Sequence, residues 1–289
     1  MMTWLDSPAS ETQITHRRRI WLYIVATLVI VFLVVPTFIV IPMSFSASQY
    51  LEFPPKTWGF RWYENYFGST EWMTATWVSV KVAVLTVIFT TPIATMAAYG
   101  LFVSKIRLSR FIFILLITPM MVPVVLIAIG VFFAYTKVKL NNTILGLVLA
   151  HSVLALPMVL IVVSAGLRSY DMNQERVARS LGASRLKAFF MITLPQIRFS
   201  VITGALLAFI VSFDEVIVAL FISGGKMSTI TRSMFLALRD QIDPTIASIS
   251  TVMVLITSVA PILAQILGQS QSKEHYVANC RSIPALKNH

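Results

Sequence analysis

The sequence predicts an all-α polytopic membrane protein with six transmembrane helices, and three observations predict this class. Of the 289 residues, 57% are hydrophobic and only 12% are charged, whereas soluble domains carry about 25% charged residues. Six apolar segments are long enough to cross a bilayer core of about 30 Å as helices. Their continuous apolar character excludes the alternating pattern of a transmembrane β-barrel.

The six predicted spans divide the chain into one membrane domain and two tails. The spans are predicted at residues 20–43, 74–103, 111–135, 143–166, 199–222 and 245–268. We predict a cytoplasmic N-terminal tail over 1–19, the membrane domain over 20–268 and a cytoplasmic C-terminal tail over 269–289. The first apolar run is longer than the roughly 7–15 residues of a signal-peptide core, so we interpret it as a retained helix.

The basic residues predict the orientation of the chain. Fifteen lysines and arginines fall on the side that carries the N-terminus, and seven fall on the opposite side. Because basic loops stay in the cytoplasm, both termini are predicted to be cytoplasmic. In a soluble protein the net charge of +11 would suggest a nucleic-acid partner. Here the basic residues cluster between apolar runs, so the predicted partner is the lipid bilayer and no nucleic acid is expected.

The third predicted span contains two prolines, Pro119 and Pro123, with two methionines between them. Each proline removes a backbone hydrogen bond and bends a helix. Two interpretations remain open, a kinked packing helix and a flexible segment that lines a gate.

The predicted inner loop, residues 167–198, contains a helix–turn–helix. Residues 175–181 predict a short helix that Gly182 ends, as a C-terminal glycine does. Ser184 can cap a second helix with an apolar face, and Pro195 ends that stretch before the fifth span. The sequence therefore predicts a small helical knob on the cytoplasmic surface.

Two acidic residues, Asp214 and Glu215, lie in the middle of the fifth predicted span. A charged side chain at the centre of a membrane helix costs about 2.5–3.5 kcal/mol, so neither is expected to face lipid in its ionised form. Two interpretations remain open, a structural pair bonded to a neighbouring helix and a site that attracts cations along a path. Since the sequence places no basic residue in the middle of another span, the second interpretation is favoured.

Three further polar or aromatic residues lie within predicted spans. Tyr99 and Tyr135 are candidates to line a path through cation–π contacts, although packing within the bundle explains them equally well. His151 is predicted to be a hydrogen-bonded packing residue.

No motif for catalysis is found. A phosphate-binding loop needs Gly, four residues and Gly-Lys-Ser/Thr, and residues 224–227 lack the upstream glycine and the hydroxyl residue. The sequence lacks the zinc-type His-Glu-x-x-His and the Gly-x-Ser-x-Gly nucleophile motifs. Cys280 is the only cysteine and has no recognisable metal-ligand neighbours. We therefore expect no enzyme activity, metal or cofactor, and if the protein moves a solute actively, the energy must come from a partner.

The inner loop resembles the EAA coupling loop of type I ABC importer permeases. That motif reads Glu-Ala-Ala, three residues, Gly, about nine residues, Ile, one residue and Leu-Pro. The matching residues in this chain are Ala178, Gly182, Ile192, Leu194 and Pro195. The sequence departs from the motif because Arg176 occupies the glutamate position. Glu175 lies one residue earlier, about 100° around a helix.

Two further segments resemble the spermidine/putrescine-type group of these permeases. They are residues 53–67 in the predicted outer loop and the Ser-Phe-Asp-Glu sequence at 212–215. The resemblance implies a small cationic amine as substrate, first a polyamine and second another amine-type solute such as an opine or 4-aminobutyrate. Asp214 aligns with the more regular acidic position of the group, which favours it over Glu215 as the substrate contact.

The resemblance implies a type I ABC importer transmembrane domain in a bacterial inner membrane. The implied partners are two ABC ATPase subunits, a second permease subunit and a periplasmic solute-binding protein. The implied ATPase-coupling residues are Glu175, Ala178, Gly182, Ala183, Leu194 and Pro195, and the candidate substrate-binding residues are Asp214, Glu215, Tyr99 and Tyr135. The rival interpretations are a gradient-driven secondary transporter or channel, and a membrane enzyme or assembly factor. The sequence shows neither an inverted repeat nor a catalytic cluster for them.

Overall fold

The computed structural model describes residues 16–104, 107–240 and 243–259, except for the side chain of Arg18. The predicted C-terminal tail, Cys280, most of the N-terminal tail and residues 260–268 of the sixth predicted span lie outside the described residues. The described chain is built from helices and loops, with an isolated antiparallel bridge between Ser46 and Trp58.

Thirteen helices are used below, numbered in chain order within the described residues. They are α1 (Ile20–Ser44), α2 (Arg61–Gly68), α3 (Thr70–Val103), α4 (Ser109–Ile117), α5 (Val124–Val138), α6 (Ile144–Arg168), α7 (Asn173–Ser180), α8 (Arg185–Ala188), α9 (Leu194–Gln196), α10 (Arg198–Phe213), α11 (Ile217–Ile222), α12 (Ile230–Asp240) and α13 (Thr245–Val259). Short 3₁₀ turns occur at His16–Arg19, Thr118–Met121 and Gly225–Met227, and a π turn spans Phe189–Thr193.

Within the described residues, α1, α3 and α6 are each long and apolar enough to cross a membrane alone. Up to five spans result if each bent helix pair counts as one, by length and composition. The bounds of α1, α3 and α6 agree with the predicted segments to within a few residues. The largest difference is at α3, which begins at Thr70 because Ser69 caps it by accepting a hydrogen bond from the Trp72 N–H. The total of six spans stays a prediction.

The third predicted span is not one continuous helix. Helix α4 with its 3₁₀ turn meets α5 at an angle of 98°. The two prolines explain the break, since Pro119 lies in the 3₁₀ turn and Pro123 occupies the N-cap of α5. Neither proline can donate the backbone hydrogen bond that would continue the helix. The predicted bend at the prolines is therefore present, and it divides the third predicted span into two helices.

The chain divides into two compact units. Among the described residues, the smaller unit contains 16–66 together with 243–254. Within it, the Asn65 amide donates a hydrogen bond of 2.8 Å to the Thr245 hydroxyl, and the Ser44 and Tyr63 hydroxyls lie 2.7 Å apart. The large apolar side chains along α1 are exposed, as expected for a helix that meets lipid or another protein chain.

The larger unit contains a tight bundle of α3, α6 and α10. Small residues let these helices approach closely, as in other membrane bundles. Ala94, Ala155 and Ala208 are fully buried, and a Cβ atom added to Gly204 would lie 3.0 Å from a Val159 methyl. This first core cluster extends to Tyr99 and Phe189 at the end of α3.

A second core cluster lies along the first half of α3. Val82, Leu147 and Val218 are fully buried there, so the cluster joins α3 and α6 to the short helix α11. Helix α5 packs on α11, and the Asn142 N–H donates a hydrogen bond of 2.8 Å to the Ile222 carbonyl. Helix α3 thus belongs to both core clusters, to the second with its N-terminal half and to the first with its C-terminal half.

Candidate functional site

The predicted helix–turn–helix is present, and glycine geometry defines its turn. Helix α7 ends in two backbone hydrogen bonds, from the Gly182 N–H to the Arg179 carbonyl and from the Ala183 N–H to the Ala178 carbonyl, both 3.1 Å. Gly182 has a φ of +92°. This pattern is the Schellman motif, which needs a left-handed residue after the helix. Glycine adopts that conformation without steric cost.

The second half of the loop combines a capped α-helical turn with a π turn. The Ser184 hydroxyl accepts a hydrogen bond from the Lys187 N–H, as predicted. The chain then widens over Phe189–Thr193, where the Leu194 N–H reaches back five residues to the Phe189 carbonyl. The helical path bends by 78° at Ile197, two residues after the predicted stop at Pro195.

The π turn brings Thr193 to Glu175, whose side chain is completely buried. The Thr193 hydroxyl donates to Glu175 Oε2 at 2.7 Å, and the Tyr99 hydroxyl donates to Glu175 Oε1 at 2.6 Å. The Tyr170 hydroxyl lies 3.3 Å from the Thr193 hydroxyl. We call these four residues the carboxylate latch. It joins α7, the π turn and the end of α3.

Aromatic packing fixes the tyrosine of the carboxylate latch. The Tyr99 ring packs on Phe189 with centroids 4.6 Å apart, and both side chains are buried. Because the ring is held, its hydroxyl points at the carboxylate without a further loss of side-chain freedom. The Tyr99–Glu175 hydrogen bond therefore connects α7 directly to the end of α3.

The outer surface of the knob is apolar and basic. Val177, Leu181 and Leu186 are exposed, and Leu181 retains 83% of its accessible surface. Four basic side chains of α7 and α8 are also exposed: Arg176, Arg179, Arg185 and Lys187. No ion pair neutralises these four among the described residues. Exposed apolar surface with a charged rim is typical of a protein docking site.

The fifth predicted span is interrupted at the acidic pair. Helix α10 ends at Phe213, residues 214–216 are not helical, and α11 begins at Ile217. The expectation of a continuous helix through these residues is corrected by this break. Asp214 follows the last turn, with its N–H bonded to the Ile210 carbonyl at 3.0 Å. A helix C-terminus carries partial negative charge, to which the Asp214 carboxylate adds.

The two carboxylates have different surroundings. Glu215 Oε1 accepts a hydrogen bond of 2.9 Å from the Val218 N–H and so caps α11. The Glu215 carbonyl also accepts a 2.9 Å hydrogen bond from the Thr231 hydroxyl at the start of α12. The Asp214 side chain is exposed and has no hydrogen-bond or ion-pair partner among the described residues. The Asp214 carboxylate is thus free among the described residues, whereas the Glu215 carboxylate is engaged in the hydrogen bond that caps α11.

Polar side chains in the bundle core anchor the break. The Ser212 hydroxyl lies 2.9 Å from His151 Nδ1 on α6 and donates to the Thr86 hydroxyl on α3 at 3.3 Å. Phe213 is buried and stacks on Phe209 with centroids 5.4 Å apart. His151 is a hydrogen-bonded core residue, as predicted. The hydrogen bonds of Ser212, two residues before Asp214, hold the end of α10 against two neighbouring helices.

The structure separates the two candidate tyrosines. Tyr99 belongs to the carboxylate latch, and thirteen residues of α3 separate it from Thr86, which contacts Ser212. At 1.5 Å per residue this is about 20 Å, so Tyr99 is not brought to Asp214. Tyr135 packs on the second core cluster, which includes Val218 of α11.

The sequence analysis did not identify four residues of the carboxylate latch and of the polar contacts before Asp214: Thr193, Tyr170, Ser212 and Thr86. The threonines at 86, 90 and 95 of an apolar span were the available sequence signal for a polar region inside the bundle. Among the described residues, no group of His, Cys, Asp or Glu side chains is arranged to hold a metal ion.

A family model described as "Binding-protein-dependent transport system inner membrane component" matches residues 90–273, well over half of the chain. The chain belongs to this family. It is therefore the multi-pass inner-membrane permease component of a binding-protein-dependent transport system. The matched region contains both the helix–turn–helix loop and the broken helix.

Curated relatives of the permease match over nearly their full length. It is 28% identical over 265 residues to the "Putrescine transport system permease protein PotI" of Escherichia coli (strain K12), covering 88% of this chain and 92% of the relative. It is 26% identical over 237 residues to the "Spermidine/putrescine transport system permease protein PotC" of Haemophilus influenzae, covering 82% and 91%.

Solved structures support the fold of the permease. A bacterial alginate ABC transporter, crystallised with an alginate pentasaccharide-bound periplasmic protein, matches with a TM-score of 0.69 and 15% identity over 89% of this chain and 96% of that chain. A crystal structure of a bacterial ABC transporter that imports alginate matches with a TM-score of 0.65 and 15% identity over 91% and 99%. The permease thus has the type I ABC importer transmembrane fold.

Proposed function

We propose that this permease forms the translocation path for a small cationic amine, first a polyamine, in an ATP-driven importer. The observation that carries the proposal is the free Asp214 carboxylate at the C-terminal end of α10. Interrupted membrane helices bind cations where the negative end of a half-helix and a carboxylate meet. A primary ammonium group has the charge and the three donors that such a site can bind.

The relatives support this choice of substrate class. Their names specify putrescine and spermidine/putrescine transport, and both compounds are cationic amines at neutral pH. We assign Asp214 as the direct contact, because its carboxylate has no competing partner among the described residues. Glu215 contributes negative potential next to it while capping α11. Tyr135 is retained as a candidate path residue because it packs on the cluster that contains α11.

We further propose that the knob docks on an ABC ATPase partner. In this proposal two ATPase subunits and a second permease subunit complete the membrane complex, a periplasmic solute-binding protein delivers the substrate, and both termini are cytoplasmic. Gly182 and Ala183 shape the turn, and Ala178 holds it through its carbonyl. Leu194 and Pro195 follow the π turn and set the path into α10.

Glu175 and Tyr99 receive related roles in this proposal. Because Glu175 is completely buried, it acts inside the loop and not on the surface that meets the ATPase. Tyr99 moves from the substrate-binding group to the coupling group, since its hydroxyl binds Glu175. The carboxylate latch would transmit the displacement of the knob to α3, and α3 packs directly on α10.

The test is uptake by the complete transporter reconstituted in proteoliposomes, with labelled putrescine or spermidine, its binding protein, and ATP on the side of the ATPase. Asp214→Asn is expected to raise the half-saturating substrate concentration roughly tenfold to a hundredfold, the loss of one charge-assisted hydrogen bond. Glu215→Gln is the matched control, because its amide oxygen can still cap α11. Its effect is expected to be severalfold smaller.

Three results would contradict the proposal. Uptake that is unchanged by Asp214→Asn would return Asp214 to a structural role. If opines or 4-aminobutyrate compete for uptake more strongly than polyamines do, the substrate is another amine-type solute and not a polyamine. Uptake driven by an ion gradient without ATP would identify a secondary transporter.

A further inference from the structure

A cleft of about 620 Å³ lies between the end of α3, one side of α4 along its whole length and the end of α6. Neither the carboxylate latch nor the broken helix uses it. Arg168, the last residue of α6, lies at its edge, and the helix–turn–helix loop follows Arg168 directly in the chain. The cleft therefore opens at the end of the bundle that carries the knob.

Two arginines give this cleft its charge. Arg110, in the first turn of α4, lines it together with Arg168, and both side chains are exposed. Neither guanidinium has an ion-pair or hydrogen-bond partner among the described residues. No acidic residue is among those that line the cleft. Two unpaired guanidinium groups next to one cavity attract an anion, and their planar donors suit the paired oxygens of a phosphate.

Apart from Ser109 and Ser164, the rest of the cleft is apolar. Its walls include Leu101 and Phe102 from α3 and Phe113 and Ile117 from α4. Ile117 follows Arg110 by seven residues, so the apolar wall extends about 10 Å along α4 beyond the arginine. A second cleft of about 330 Å³, which shares Leu101, continues this apolar surface around α4. The ligand that fits is amphipathic, with an anionic head and a hydrocarbon tail.

We propose that this cleft binds an anionic phospholipid of the surrounding membrane. The phosphodiester would lie between Arg110 and Arg168, and an acyl chain would follow Phe113 and Ile117. Basic pockets between transmembrane helices at the cytoplasmic surface bind anionic lipid head groups in this way. A free phosphate would leave the apolar wall uncovered, and a zwitterionic phospholipid would place its own cationic group next to the two unpaired arginines. The bound lipid would hold the nine-residue helix α4 against α3 and α6.

The test measures lipid retention by the complete transporter, purified in a neutral detergent and titrated with phosphatidylglycerol or phosphatidylcholine in native mass spectrometry. Saturable binding of phosphatidylglycerol is expected, in clear preference to phosphatidylcholine. Each arginine near an anionic lipid contributes to the binding affinity, so Arg110→Gln or Arg168→Gln alone should weaken binding about fivefold. The double variant should weaken it about thirtyfold. Arg107→Gln is the matched control, because Arg107 is exposed three residues before Arg110 but does not line the cleft.

A variant that keeps both arginines separates this site from a general effect of surface charge. Ile114, which lines the cleft and is exposed, can be replaced by tryptophan to fill the apolar part. Ile114→Trp is expected to reduce retention of phosphatidylglycerol although the net charge is unchanged.

Four outcomes would overturn the proposal. The first is retention of phosphatidylcholine equal to that of phosphatidylglycerol, and the second is full retention of phosphatidylglycerol by the double arginine variant. The third is displacement of the lipid by millimolar inorganic phosphate, which would identify a free-anion site. The fourth is a cross-link between Ile114→Cys and another polypeptide of the transporter, which would assign the cleft to a protein interface.

Discussion

Removing the Tyr99 hydroxyl isolates the contribution of the carboxylate latch. Tyr99→Phe keeps the ring that packs on Phe189, 4.6 Å between centroids in the wild type, and removes the hydroxyl alone. Only the 2.6 Å hydrogen bond to Glu175 is lost. The carboxyl group is then left buried with Thr193 as its remaining side-chain donor at 2.7 Å. A hydrogen bond to a charged group contributes roughly 1.5–3 kcal/mol.

The expected effect is local opening of the knob. A loss of about 2 kcal/mol increases the population of the open loop by roughly thirtyfold. Amide hydrogen exchange over 173–180 should accelerate by that factor, because these amides exchange when α7 detaches from the bundle. In the reconstituted transporter, more ATP should be hydrolysed for each substrate molecule imported, since the knob transmits less of its displacement to α3.

The matched control is Tyr135→Phe. Tyr135 is a half-buried membrane tyrosine whose hydroxyl has no hydrogen-bond partner among the described residues. Its removal should leave exchange in α7 unchanged. If exchange in α7 does not change in Tyr99→Phe, or if both variants accelerate it equally, the mechanical role of the latch is refuted.

Two glycine substitutions test the loop and the bundle separately. Gly182→Ala should reduce co-purification of the ATPase severalfold and leave membrane insertion intact. A Cβ atom at Gly182 meets no other atom within 4 Å, but the φ of +92° is unfavourable for alanine, so the turn itself is strained. Co-purification at the wild-type level would contradict this prediction. Gly166→Ala should lower the free energy of unfolding in detergent by roughly 1–3 kcal/mol, since a Cβ atom there would lie 2.6 Å from the Ser200 Cβ. Gly130→Ala, with no atom within 4 Å of the added Cβ, is the control for both and should be neutral or slightly stabilising.

The sequence predicts the parts of the fold that depend on local chemistry. Apolar runs locate α1, α3 and α6, because a membrane helix needs about 20 apolar residues wherever it packs. Glycine at 182 and serine at 184 predict the turn and the cap of the knob, since both effects act within four residues. Pro119 and Pro123 identify where the third predicted span bends. They do not give the 98° angle, which depends on what α4 and α5 each pack against.

The long-range features could not be predicted in the same way. Glu175 lies in a polar loop, and its burial depends on Tyr99, 76 residues earlier in the chain. The break after Phe213 contains neither proline nor glycine, so no helix-breaking residue in the sequence indicated that the helix is interrupted. The different roles of Asp214 and Glu215 follow from one hydrogen bond to the Val218 N–H. Which carboxylate makes that bond depends on the direction of the chain after the break.

The π turn at Phe189–Thr193 constrains the number of residues in the loop. A π turn holds one residue more than an α-helical turn, so every position after it is rotated by about 100° relative to an uninterrupted α-helix. Deleting one residue in this stretch would restore regular α-helical geometry and swing Thr193 away from the Glu175 carboxylate. Insertions and deletions between Gly182 and Pro195 should therefore disable the permease even when they preserve its apolar and basic character.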